Sequence, residues 1–495
     1  MLFTTGPFAF LFLPIVAIGF FLLGRVPRIA ATWLGLASLF FYGYWMPAYV
    51  LLLVTSIVAN YLVGVTIGRL RDAPGDSNHR GARLALIAGL VFNLGLLSYF
   101  KYANFLLDTL RTVSGLELPA AHVILPIGIS FFTFTQIAFL VDTYQKGTRE
   151  YRFIHYLLFV TYFPHLVAGP VLHHAQMMPQ FADAAIYRPD PVNIAAGMTM
   201  FALGLFKKLA IADAVAPYAD SVFDAVAGGH SPTTLEAWIG PLAYTFQLYF
   251  DFSGYSDMAV GLSMILGVRL PYNFSSPYLA ANISDFWRRW HMSLSAFLRD
   301  YLYIPLGGNR LGNARRFVNL MTTMLLGGLW HGANWTFVVW GGLHGLYLGV
   351  HHAFGASVSR ALARIFPRGA ITVIAWSVTL LAVVVAWVFF RAPDFSTAGS
   401  ILSAMFSLPG DSTLPRILWN AGLAPAHGAW MILICALIAF TPVNSNAIFE
   451  RHLNACRRST EITWFSIGAA FTAVVLSITL SELRASTSPF IYFNF

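Results

Sequence analysis

Residues 318–352 read VNLMTTMLLGGLWHGANWTFVVWGGLHGLYLGVHH, and how this stretch is read decides the fold. Arg315 and Arg316 precede it, and Arg360 and Arg364 follow it. Lys and Arg collect in the loops on the cytoplasmic side of a membrane. With both basic loops on that side, the apolar stretch between them must enter the bilayer and return. Its apex then falls near Trp330–His331–Gly332. A helical arm of thirteen residues reaches about 20 Å at 1.5 Å per residue, which puts His331 deep in the hydrocarbon.

The same pattern extends outward. Apolar runs lie at 7–24, 30–46, 49–68, 84–102, 123–141, 155–172, 193–214, 236–266, 370–390, 428–446 and 463–481. The chain is 57% hydrophobic and 10% charged, against about 25% charged in soluble proteins, so it cannot cover a water-facing surface. The expected fold class is all-α, a polytopic integral membrane protein with about 11–13 transmembrane and re-entrant helices. It reads as one transmembrane domain over 1–495, with 483–495 as an extracytoplasmic tail. Phe163–Pro164–His165 and Gly169–Pro170 predict a segment that enters and turns back, which is tolerated only where protein or a water-filled cavity surrounds it. The first run lacks a basic n-region and a small-residue cleavage site, so it reads as a retained helix.

The net charge of +9 is accounted for by basic loops, and no motif points to nucleic acid. Clusters at Arg25 and Arg28, at Arg69 to Arg83, at Lys146 to Arg152, at Lys207 and Lys208, and at Arg451 to Arg458 extend the cytoplasmic assignment. Segments 103–122, 393–427 and 482–495 then lie outside. Cys435 and Cys456 fit no metal or redox spacing.

Zinc-peptidase, serine-hydrolase, Walker and dinucleotide motifs are all missing from the sequence. Histidine inside apolar sequence stands out instead, because an ionisable group at membrane depth is a functional candidate. His331 has glycines that permit close approach, and Trp330, Asn334 and Trp335 beside it. Many such histidines merely bond a carbonyl on a neighbouring helix, and both readings stay open here. His291 lies on the stripe Ile283, Phe286, Trp287, Trp290, Leu294, Phe297, Leu298 and Tyr301, whose spacing predicts one amphipathic helix with His291 facing inward. Arg288, Arg289, Arg299, Arg310, Arg315 and Arg316 suit either a solvated loop or a phosphate-bearing thioester. The tail, Phe490–Ile491–Tyr492–Phe493–Asn494–Phe495, is too apolar to stay exposed. It either packs against protein or lipid, or threads into a cavity and offers the Tyr492 hydroxyl. A transporter or channel without chemistry is the competing class.

Several stretches together resemble the alginate O-acetyltransferase branch of the membrane-bound O-acyltransferases. They are Lys101–Tyr102–Ala103–Asn104–Phe105, Leu125–Pro126–Ile127–Gly128–Ile129–Ser130–Phe131–Phe132, Tyr249–Phe250–Asp251–Phe252–Ser253–Gly254–Tyr255–Ser256–Asp257, Phe286–Trp287–Arg288–Arg289–Trp290–His291, Leu302–Tyr303–Ile304–Pro305–Leu306–Gly307–Gly308–Asn309–Arg310 and Gly328–Leu329–Trp330–His331–Gly332. The D-alanyl and peptidoglycan O-acetyl transfer proteins share the pattern. The resemblance implies helices around a central funnel, with His331 as the catalytic histidine and His291 as the second active-site histidine. It also implies that Tyr492 matches the acyl acceptor in a C-terminal F-x-Y-x-x-F segment. No cofactor or metal is expected. The expected donor is acetyl-CoA, with an acyl-carrier-protein thioester as the alternative. The expected partners are an SGNH-type extracytoplasmic acetyltransferase or a polysaccharide acceptor, at the bacterial inner membrane.

Overall fold

The computed structural model describes residues 1–116, 123–150, 152–167, 169–407, 414, 416–483 and 488–491. Among the described residues the regular structure is helical, without strands. Six helices there are long and apolar enough to cross a membrane: Pro7–Arg25, Pro47–Asp72, Asp76–Ser114, Pro191–Ala227, Arg368–Arg391 and Thr460–Leu483. Helices suit this setting because they satisfy their own backbone where no water can. Their outer faces carry large apolar side chains, among them Leu22, Leu51 and Phe465, each at least 74% exposed. A water-soluble protein rarely shows so much contiguous apolar surface. The chain is a multi-pass membrane protein.

Contacts cluster into two compact units, each discontinuous in sequence. The first holds Met1–Leu205, Tyr255–Tyr272 and Phe449–Phe493. Within it, Val50–Asp72 and Asp76–Leu97 are joined by reciprocal amides. Asn93 Nδ2 donates to Asn60 Oδ1 at 2.6 Å, and Asn60 Nδ2 to Asn93 Oδ1 at 3.2 Å. Such bonds hold helices together where lipid offers no hydrophobic drive. The Pro- and Gly-bearing stretch departs from helix here: helix Phe153–Thr161 ends, and the described residues from Tyr162 to Leu172 run on without helix yet stay buried. Ser38 Oγ accepts the Phe163 N–H, and Phe159 O lies 3.1 Å from His165 Nε2.

The second unit holds Phe206–Gly254 and Asn273–Ile448. Its spine is the hairpin read from the sequence, with Gly312–His331 rising and Trp335–Leu362 returning. Gly341, Gly345 and Gly349 recur every four residues, so they share one helix face. A Cβ at Gly341 would collide with Met324 O, one at Gly345 would press on Met321, and one at Gly349 would enter the Phe317 ring. The paired positions fall as these numbers rise, as an antiparallel hairpin requires. Small residues let the two backbones approach this closely. Gly342 differs, because a Cβ there meets only Leu325 at an ordinary 3.5 Å. Gly341→Ala is therefore expected to cost about 1–3 kcal/mol, the usual range for overpacking, whereas Gly342→Ala is close to neutral. Thermal melting of the purified variants checks the difference.

Two expectations need correction. The 283–301 stripe is not one helix: Ile283–Arg289 and Met292–Leu298 are separated at Trp290–His291. Backbone bonds from a neighbouring segment impose the break, Ser275 N–H to Arg289 O and Met292 N–H to Asn273 O, both 2.9 Å. The inward direction of the stripe holds, since Phe286, Trp290, His291 and Leu294 are all buried. Nor is Lys208 a loop residue. It is buried within Pro191–Ala227 and pairs with Asp213 at 2.8 Å and Asp251 at 2.6 Å. Removing a lysine from water demands close opposite charge, which these two carboxylates supply.

Candidate active site

His331 ends the rising helix, and the chain turns at once through Gly332, Ala333 and Asn334. Gly332 has no room for a side chain because the Phe337 ring occupies that space. Asn334 caps the returning helix, its Oδ1 accepting the Thr336 N–H at 3.1 Å while its Nδ2 donates to Pro393 O at 2.8 Å. Cap and turn together fix where the His331 imidazole sits. It is 3% exposed and lies edge-on to Trp340 at 5.0 Å and to Phe390 at 5.2 Å. The wall is aromatic on every side these contacts define.

Trp330 connects the two sequence-predicted histidines. Its ring centroid lies 5.0 Å from His331 and 6.3 Å from His291. His291 is fully buried, with Phe252 edge-on at 4.7 Å. Its backbone is left-handed, φ 42° and ψ 55°, which costs a non-glycine residue roughly 1–2 kcal/mol. Strain of this kind, held by the bonds from 273–275, is characteristic of functional positions.

Asn273 also sets the tautomer of His291. Its Oδ1 accepts the Ser293 N–H at 3.2 Å and the Ser293 hydroxyl at 2.9 Å, and lies 3.1 Å from His291 Nδ1. The backbone N–H can only donate, so the amide oxygen must face it. His291 Nδ1 is then the donor, and in the neutral ring Nε2 carries the lone pair. Asn273 escaped the sequence reading because it lies 18 residues away in the chain. His344 escaped as well. It is fully buried, its Nδ1 accepts from Trp287 Nε1 at 3.3 Å, and its ring is 4.8 Å from Trp340. Its position four residues after Trp340 in an apolar run was the available signal.

The predicted arginines divide. Arg289 is bound to Asp285 at 2.9 Å and Arg299 to its neighbour Asp300 at 2.7 Å. Arg288, Arg310 and Arg315 are exposed, and Arg316 is half-buried. Tyr492 lies outside the described residues. Two positions earlier Phe490 is buried, its ring edge-on to Tyr255 at 4.4 Å. Phe490 is therefore seated in the protein, which fits both the packing and the threading expectation.

A strained, tautomer-fixed imidazole and a second imidazole in an aromatic cage, both within 6.3 Å of one indole, make a site suited to proton transfer. The family model for MBOAT, the membrane-bound O-acyltransferase family, matches residues 85–390. A peptidoglycan O-acetyltransferase of Helicobacter pylori is 39% identical, covering 100% of this chain and 98% of that protein. A probable alginate O-acetylase of Pseudomonas aeruginosa is 44% identical over 89% of this chain and 81% of its own. A teichoic acid D-alanyltransferase of Bacillus subtilis is more distant, 28% identical over 48% of this chain and 61% of its own. With these matches and this helical architecture, the chain belongs to the membrane-bound O-acyltransferase family and is an O-acyltransferase.

Proposed function

We propose that the protein moves an acetyl group from a cytosolic thioester, acetyl-CoA, to the Tyr492 hydroxyl, for delivery to an extracytoplasmic glycan. The Tyr492 oxygen attacks the thioester carbonyl, forming a C–O bond as the C–S bond breaks. His331 takes the hydroxyl proton and returns it to the departing thiolate, acting as general base and then acid. The acetyl-tyrosine splits one transfer into two, and an SGNH-type transferase or the glycan itself takes the group at the second step. The relatives' peptidoglycan and alginate chemistry supports such an acceptor at the bacterial inner membrane. Arg288, Arg310 and Arg315 are the cations put forward for donor phosphates, since Arg289 and Arg299 already hold carboxylates.

The observation that carries this reading is the pair of buried imidazoles flanking Trp330. With Nδ1–H committed to Asn273, neutral His291 presents an acceptor nitrogen, so it would hold a proton-bearing group other than the attacking hydroxyl, whose one proton goes to His331. Polarising the thioester carbonyl would need a donor there. Asn273→Leu is expected to lower acetyl transfer by about 10- to 100-fold, the scale on which outer-shell partners of working histidines act. Asn273→Asp, which keeps an acceptor, restores most of it. Equal loss in both variants would mean that Asn273 serves packing alone. Thiol release by purified protein in liposomes measures both, with acetyl-CoA and an acetylated carrier protein compared as donors. Turnover of the carrier alone would replace the assigned donor.

A further inference from the structure

At the open end of the hairpin, away from His331, a groove of about 540 Å³ runs between the two helices. Asn313, Arg316 and His352 are its polar lining residues, and Phe317, Leu320 and Val350 are among its apolar ones. Its apolar side chains face outward: Phe317 is 41%, Val350 50% and the neighbouring Phe354 60% exposed. Arg316 is the cation among the lining residues, with Asn313 and His352 as its polar neighbours. Among the described residues no ion pair joins Arg316, Arg288 or His352 to a carboxylate.

We propose that this groove binds one anionic phospholipid from the leaflet on the basic-loop side. The phosphate sits between Arg316 and His352, and one acyl chain lies along Phe317, Leu320 and Val350. Basic pockets between membrane helices on that side are built to take anionic headgroups. The apolar half separates a lipid from a soluble phosphate, because an outward-facing strip of Phe, Leu and Val has nothing to offer a nucleotide. The lipid bridges the start of Gly312–His331 and the facing part of Trp335–Leu362, so it would brace the hairpin away from its turn.

The test is lipid retention. Full-length protein is extracted from membranes containing phosphatidylglycerol and phosphatidylcholine, and bound lipid is measured by native mass spectrometry. Wild type is expected to keep phosphatidylglycerol selectively and to melt at a higher temperature when it is added. Arg316→Gln is expected to reduce retention by about fivefold, the scale of one basic group near an anionic surface. Val350→Trp fills the apolar half and removes retention while leaving Arg316 in place. The proposal is overturned if phosphatidylcholine is kept equally, or if both variants retain lipid as wild type does. Stabilisation by inorganic phosphate to the same extent, lost in Arg316→Gln, would likewise overturn it, marking a soluble-phosphate site instead.

Discussion

Replacing His331 by glutamine is expected to lower acetyl transfer by about a thousandfold, within the range a positioned general base supplies. Glutamine keeps much of the volume and a hydrogen-bonding end, so the cage formed by Trp340 and Phe390 stays filled. What it loses is a ring nitrogen that can take and return a proton. Melting temperature and membrane abundance should therefore stay near wild type while turnover collapses. His331→Ala adds a cavity to the same chemical loss. A variant that falls in turnover only as far as it falls in folded protein would make His331 a packing residue. Full turnover in a stable His331→Gln would remove it from the chemistry.

The second large effect is expected at the far end of the chain. Tyr492→Phe removes one oxygen and nothing else, so it should abolish acetylation of the acceptor without changing abundance. Phe490, seated on Tyr255, anchors the segment in both proteins, and the variant tail should dock as the wild-type tail does. Phe490→Ala separates anchoring from chemistry: it weakens docking, and an excess of the wild-type tail peptide should partly restore transfer. Normal acceptor acetylation in Tyr492→Phe would mean direct transfer to the glycan or a separate acceptor.

Much of the framework was legible because membrane constraints write themselves into composition. The hairpin around His331 followed from two basic loops and an uninterrupted apolar stretch. Its glycines follow the same logic, although only contact with Met324, Met321 and Phe317 shows that they serve backbone approach. The break at Trp290–His291 could not be read locally, for no Pro or Gly marks it. Bonds from 273–275 impose it from outside the helix. For the same reason Asn273, the residue that sets the tautomer of His291, has no local signal. Lys208 misled in the opposite direction: a lysine counts toward a cytoplasmic loop until its paired carboxylates are seen. Patterns within one helix were readable, and partnerships between distant segments were not.

The proposed relay depends on a proton leaving the Tyr492 hydroxyl for the imidazole at 331 while acetyl moves onto that oxygen. Mass spectrometry of the C-terminal peptide, taken after brief exposure of the reconstituted enzyme to labelled donor, tests this most directly. The peptide should carry one labelled acetyl ester on Tyr492 in the wild-type enzyme and none in His331→Gln. Donor turnover with an unmodified C-terminal peptide, or equal labelling in the two proteins, would contradict it.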